Sequence, residues 1–126
     1  MGQRGSLVTS TVAGLLMALP SDLALAEDRA SLVRGIDQNI RAFDGCLKEK
    51  AVTLDDGHSD AASIAAGTVS ACISYMRRAN SDSAKLFGVP PPLPGSQQEI
   101  ADQQRLEKEA ITVVLQARAK NTAHTQ

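Results

Sequence analysis

An all-α fold, a small helical bundle built on an antiparallel helical hairpin, is predicted by three features of the sequence. Apolar residues recur at helical spacing from Leu32 to Leu54. Cys46 and Cys72, the two cysteines, flank the turn-forming stretch LDDGHSD at nearly equal distances. A Ser96–Glu99 capping box follows a proline-rich stretch and opens a third helix.

The N-terminus is read as a leader. MGQRGSLVTSTVAGLLMALPSDLALA carries Arg4 near its start, an apolar run over Leu7–Leu19, a breaking Pro20, and the small-x-small site Ala24-Leu25-Ala26. This is the layout of a secretory signal peptide over residues 1–26. The run is about 13 residues, short of the ~20 that span a bilayer. No cysteine follows it at a lipidation position. The expectation is cleavage after Ala26, one small domain over residues 27–126, and no stable membrane insertion after cleavage.

The first helix is predicted over residues 28–53. Leu32, Ile36, Ile40, Phe43, Leu47 and Leu54 fall on one narrow stripe at 100° per residue, with Cys46 at its edge. Gly35 and Gly45 lie off the stripe, each weakening the helix by about 1 kcal/mol relative to alanine. Residues 54–59 form the turn. Asp56-Gly57 is a turn signal, Gly57 suits a positive φ, and Ser59 or Asp60 can cap the next helix. The second helix is predicted over residues 60–79, its apolar face reading Ile64, Ala65, Thr68, Val69, Cys72, Tyr75, Met76, with Arg77 and Arg78 in the last turn.

Residues at equal height in an antiparallel hairpin have numbers with a constant sum. Cys46 and Cys72 place the axis of symmetry at Ser59, inside the turn. The same relation sets Leu54 beside Ile64, Ala51 beside Gly67, Leu47 beside Ala71 and Phe43 beside Tyr75, so apolar meets apolar at each level. Alanine opposite glycine lets the backbones come close, as a disulfide between helices requires. In an exported chain a single cysteine pair is expected to be oxidised.

Residues 80–95 read as a linker, because Pro90, Pro91, Pro92 and Pro94 exclude a helix and favour polyproline II. PPPLP resembles a ligand of SH3-type domains, but such partners belong to a eukaryotic cytoplasm, so the segment is expected to be a semi-rigid spacer. Leu86 and Phe87 are expected to dock it onto the hairpin. The third helix is predicted over residues 96–120, with a frayed tail at residues 121–126. Its run AITVVL has strand-like β-branching, but no partner strand is available.

Composition and motifs exclude more than they assign. A formal net charge of −1 gives no basic surface for nucleic acid. Residues 27–126 hold only Phe43, Tyr75 and Phe87 as aromatics, so the core is thin and needs a staple or a partner. No C-x-x-C, C-x-x-C-H or G-x-S-x-G occurs. His58 beside Asp55, Asp56 and Asp60 lacks the frame of a calcium loop and reads as a solvated turn. Met76 and His124 are the residues a haem-carrying bundle would use. No catalytic residue, cofactor or metal ligand is assigned. The expected role is that of a small exported bacterial protein, periplasmic or secreted, acting by protein–protein interaction. Its partner is another envelope protein or a second copy of itself. A small-molecule or haem carrier is the rival, and an enzyme comes third. The candidate interaction surface is Ile111, Val113, Val114 and Leu115, which point around nearly the whole circumference of the third helix and cannot all be covered by a two-helix hairpin; the alternative is that the Leu86–Pro94 linker folds over them.

Overall fold

The computed structural model describes residues 20–125, so most of the predicted leader lies outside the described residues. Three helices follow one another: α1 over Pro20–Leu54, α2 over Ala61–Phe87 and α3 over Gln97–His124. There is no strand among the described residues, and AITVVL is helical.

The turn between α1 and α2 is built from side chains that satisfy backbone donors. Asp55 accepts from Gly57 N at 3.0 Å, and Asp56 accepts from His58 N and Ser59 N at 2.9 and 2.7 Å. Gly57 takes φ 72°, open to glycine at no steric cost. Asp60 is the N-cap of α2, accepting from Ser63 N at 3.0 Å.

The disulfide joins Cys46 of α1 to Cys72 of α2, with Cα atoms 5.9 Å apart. Around it lies one core of Phe43, Leu47 and Ala51 from α1, Ile64, Ala65, Val69 and Cys72 from α2, and Leu106, Ala110 and Val114 from α3. Ala51, Ala65 and Ala110 are fully buried, one from each helix, and their small side chains allow close approach. Burying Phe43 or Leu47 contributes about 1.5–3 kcal/mol apiece, which outweighs the glycine cost in α1.

Several boundaries and pairings differ from expectation, and α1 begins at Pro20 rather than at residue 28, with proline at its first position, where a missing N–H costs nothing. α2 does not stop at residue 79. It continues to Phe87, because Ala79 and Ala84 are buried and Asp82 lies against Gly35 of α1. A Cβ built on Gly35 would lie 2.6 Å from Asp82 Oδ2, so glycine at this position admits the carboxylate. Gly88 ends α2 at φ 66°, its N–H turned back to Ala84 and Lys85. The linker therefore shrinks to residues 88–96. α3 runs on to His124, through most of the predicted tail.

The equal-height relation gives levels but not facing directions. Gly67 and Ala71, expected opposite Ala51 and Leu47, are exposed. The reason is that α2 also carries α3, so its buried face turns toward a line between the two neighbours. A Cβ on Gly67 would meet only Leu54 Cδ1, at an ordinary 3.8 Å. On α1, Ile40 and Leu54 are exposed, and the buried part of the stripe narrows to Phe43, Leu47 and Ala51. Leu86 and Phe87, expected to dock the linker onto the hairpin, belong to α2 itself, where Leu86 is half-buried and Phe87 exposed.

Candidate functional site

The most built feature outside the core is the turn between α1 and α2, latched by α3. Arg118 reaches it with a bidentate contact. Nε donates to Asp55 Oδ2 at 2.9 Å and Nη2 to Asp55 Oδ1 at 2.7 Å. Nη2 also donates to the carbonyl of Ser59 at 2.6 Å. The Asp55 side chain is 8% exposed. The contact lies one turn beyond Val114, which is on the core face of α3, so the buried stripe of α3 aims Arg118 at the turn.

Each acid of the turn is occupied. The Arg118 guanidinium, then the Gly57 N–H, hold the Asp55 carboxyl below its usual range. The Ser59 hydroxyl and N–H and the His58 N–H hold Asp56 far below it. The Ser63 hydroxyl and N–H do the same for Asp60. Four backbone N–H groups, two serine hydroxyls and one guanidinium thus bond the carboxylate oxygens of the turn. Among the described residues no group of three or more histidines, cysteines or carboxylates is arranged to hold a metal ion. His58 is exposed.

A second ion pair sits near the start of α3. Arg77 Nε donates to Glu99 Oε1 at 2.7 Å, and Gly95 N donates to Glu99 Oε2 at 2.6 Å. The predicted capping box is thus half formed. Ser96 accepts from Glu99 N at 3.2 Å, but Glu99 reaches back to Gly95 rather than to Ser96, whose N–H goes to Leu93 O. The Arg77 contact, with Gly95 N–H assisting, holds the Glu99 carboxyl below its usual range. Arg77 and Arg78 do not end a helix as expected. Arg77 ties α2 to α3, and the Arg78 guanidinium lies 5.8 Å from the Tyr75 ring centroid.

The predicted interaction surface comes apart. Val114 is fully buried in the core, Ile111 and Val113 are half-buried against it, and Leu115 alone is 52% exposed. α3 packs against both arms of the hairpin, which covers Val114 and part of Ile111 and Val113 and leaves Leu115 outside the contact. The linker does not lie over these residues. Pro90 and Pro92 share a groove with Asn80, Ser83, Gln98 and Asp102, more than two turns earlier on α3.

Met76 and His124 are not brought together. Met76 lies beside the core near Arg77, whose partner is Glu99, whereas His124 ends α3. At 1.5 Å per residue, His124 stands about 37 Å along α3 from Glu99. The partly open space beside Met76 and Leu106 is about 30 Å³, room for one water. An open groove passes Val52, Val113 and Ala117, with Lys48 and Lys120 at its rim. No described helix is long and apolar enough to cross a membrane. No protein-family model, curated protein or solved structure matches the chain.

Sequence reasoning placed the cysteines together but missed Arg118, Glu99 as a partner for Arg77, and Asp82 against Gly35. The acids of the turn signalled a need for a cation. Which of the 13 lysines and arginines would supply it was not marked.

Proposed function

We propose that the chain is a small exported bacterial protein, periplasmic or secreted, that acts by binding another protein rather than by catalysis. The single observation that carries the export reading is the Cys46–Cys72 disulfide between two helices, since such bonds persist in oxidising compartments. The leader-like layout of residues 1–26 agrees with it. The binding reading is supported by a core filled with side chains, by acids already used in holding the turn, and by large apolar residues left at the surface, Phe87 and Leu93 foremost.

The test is made on protein from its native host. N-terminal sequencing is expected to give Glu27-Asp28, and thiol titration without reductant to give no free thiol. Met1 retained on protein with two free thiols overturns export. Crosslinking in the envelope fraction is expected to give a discrete adduct with one partner. A chain that remains uncrosslinked while carrying a bound chromophore or turning over a substrate overturns the binding reading.

A further inference from the structure

The contacts of the α1–α2 turn close around one peptide bond, Asp56–Gly57. Aspartate followed by glycine is a labile linkage, because glycine has no side chain to keep its nitrogen away from the carboxyl carbon before it. In the reaction Gly57 N attacks Asp56 Cγ, and the N–H proton and the carboxyl hydroxyl leave as water. The product is a cyclic succinimide. Water then adds to one of its two carbonyl carbons. Addition at Cγ restores aspartate. Addition at the main-chain carbonyl breaks its bond to Gly57 N and leaves the chain running through Cγ, as isoaspartate. One water leaves and one enters, and nothing is oxidised or reduced.

Both reacting groups are occupied in the structure. Gly57 N donates to Asp55 Oδ1 at 3.0 Å. The Asp56 carboxylate is turned forward along the chain. Its Oδ1 accepts from His58 N and Ser59 N at 2.9 and 2.7 Å, and its Oδ2 accepts from the Ser59 hydroxyl at 2.7 Å. These bonds favour the ionised carboxyl, which has no hydroxyl to lose. Arg118 grips both residues at the ends of this set. It binds the Asp55 carboxylate through Nε and Nη2, and the carbonyl of Ser59 through Nη2. Asp56 and Gly57 are themselves exposed, so water is at hand once the contacts open.

The chain has a second pair of this kind, Asp44-Gly45. It lies inside α1, where Gly45 N belongs to the helix ladder and Asp44 pairs with Lys48 at 2.5 Å. That bond is protected by the helix it sits in. Asp56–Gly57 lies outside any helix, and its protection comes from side chains that α3 holds in place.

We propose that Asp56–Gly57 is a modification site gated by the fold: the bond is inert while Arg118 holds the turn, and it isomerises to isoaspartate when α3 lets go. The step is one-way for the latch. Isoaspartate adds a carbon to the main chain and carries its carboxylate directly on Cα, one carbon shorter. The carboxylate then no longer meets His58 N, Ser59 N and the Ser59 hydroxyl together, and Asp55 and Ser59 are no longer spaced to share Arg118. The disulfide keeps α1 and α2 joined throughout, so the change is confined to the turn and to the end of α3.

The oxidised full chain is aged in buffer beside Arg118→Gln and a synthetic peptide of residues 50–62. Isoaspartate at positions 44 and 56 is read by electron-transfer fragmentation in a mass spectrometer. The peptide should isomerise freely and the parent should stay aspartate. Arg118→Gln should isomerise at position 56 about tenfold faster than the parent, the factor that a lost charge-assisted contact gives to local opening. Position 44 should stay aspartate in both proteins. Should the glutamine variant react at both positions, it has unfolded, and Arg118→Lys is read instead, since it keeps the charge and gives up the two-sided grip. The parent's isoaspartate form, separated after long ageing, should exchange the amides around Arg118 faster than the unmodified form. A parent as reactive as the peptide at position 56 overturns the proposal. So does a folded Arg118 variant as slow as the parent, a lysine variant that reacts equally at positions 44 and 56, or equal amide exchange in the two forms.

Discussion

The seam between α1 and α2 and the seam that holds α3 are built from different materials. The first is covalent at its centre, with the disulfide set among Phe43, Leu47, Ile64 and Val69. The second rests on Leu106, Ala110 and Val114, with an ion pair toward either end, Arg77–Glu99 and Asp55–Arg118. A hairpin is made by residues close in sequence, and a short closed loop makes a staple effective. α3 returns from far along the chain and has no cysteine. It is held by a thin apolar stripe and by two carboxylates whose charge depends on pH. The comparison predicts that the two seams fail under different conditions.

The largest expected effect is on the first seam. Cys46 and Cys72 are 26 residues apart, and closing a loop of that size stabilises by about 3 kcal/mol in the chain-entropy account. Cys46→Ser/Cys72→Ser should therefore melt well below the parent in calorimetry. Equal melting temperatures would mean that the disulfide only decorates a hairpin already made by packing.

Next comes the second seam. Leu106 is 8% exposed and is the largest side chain that α3 buries. Leu106→Ala should cost about 2–3 kcal/mol, the lower part of the range for such truncations. With the disulfide intact, amide exchange should speed up along α3 more than along α1 and α2. Uniform loss of protection through all three helices would show that the seams are one cooperative unit and not two.

Acid should also act on the second seam, along with the turn of the first, where Asp56 and Asp60 are likewise held below their usual range. Asp55 and Glu99 both titrate below their ordinary values because Arg118 and Arg77 hold their charged forms. A carboxylate with a lowered folded pKa contributes stability above its unfolded pKa, and that contribution fades as pH falls through the folded value. The unfolded references are 3.8 for Asp55 and 4.5 for Glu99. Stability should thus be level near neutrality and drop below about pH 4.5. Arg118→Gln should lower the melting temperature at pH 7 and flatten the Asp55 part of the acid limb. An unchanged acid limb in that variant would place the pH dependence elsewhere.

The difference between the seams also explains what was legible in the sequence. The hairpin is local. Its stripe, turn and cysteine spacing are all properties of one continuous stretch, and they place the disulfide correctly. The contacts of α3 are not local. Asp55 and Arg118 are 63 residues apart, and no periodicity connects them. The end of α2 was missed for another reason. SDSAKLF is polar enough to read as a linker, yet Asp82 lies against Gly35 of α1 and Ala84 is buried. The true stop was present as Gly88 ahead of Pro90, a positive-φ cap followed by a residue that cannot continue a helix. The four apolar residues of α3 carry no periodicity that separates covered from exposed positions, and only the seating of α3 on α1 and α2 makes Val114 core and Leu115 surface.

A smaller effect tests the quality of the first seam. Thr68 is fully buried, and its hydroxyl is the one buried side-chain polar atom without a partner among the described residues. Thr68→Val keeps the shape and removes the unmet group, so it should stabilise by about 1 kcal/mol. A loss of stability would show that the hydroxyl is satisfied in solution by water or by a backbone carbonyl of its own helix.

The smallest effect concerns Gly67, where sequence and structure give opposite signs. If alanine at position 51 needed a glycine across from it, Gly67→Ala would force the helices apart and strain the disulfide. The structure puts Gly67 at the surface of α2, where the added methyl meets only Leu54 Cδ1 at 3.8 Å. The substitution then changes little but helix propensity, which favours alanine over glycine by about 0.8–1 kcal/mol in a helix interior. Gly45→Ala is the internal reference, because nothing lies within 4 Å of a Cβ there. The two variants should gain stability equally, as read by the midpoint of urea unfolding. A gain at Gly45 with a loss at Gly67 would mean that α1 and α2 approach more closely at this level than the structure has them. The expected relation between Ala51 and Gly67 would then be restored.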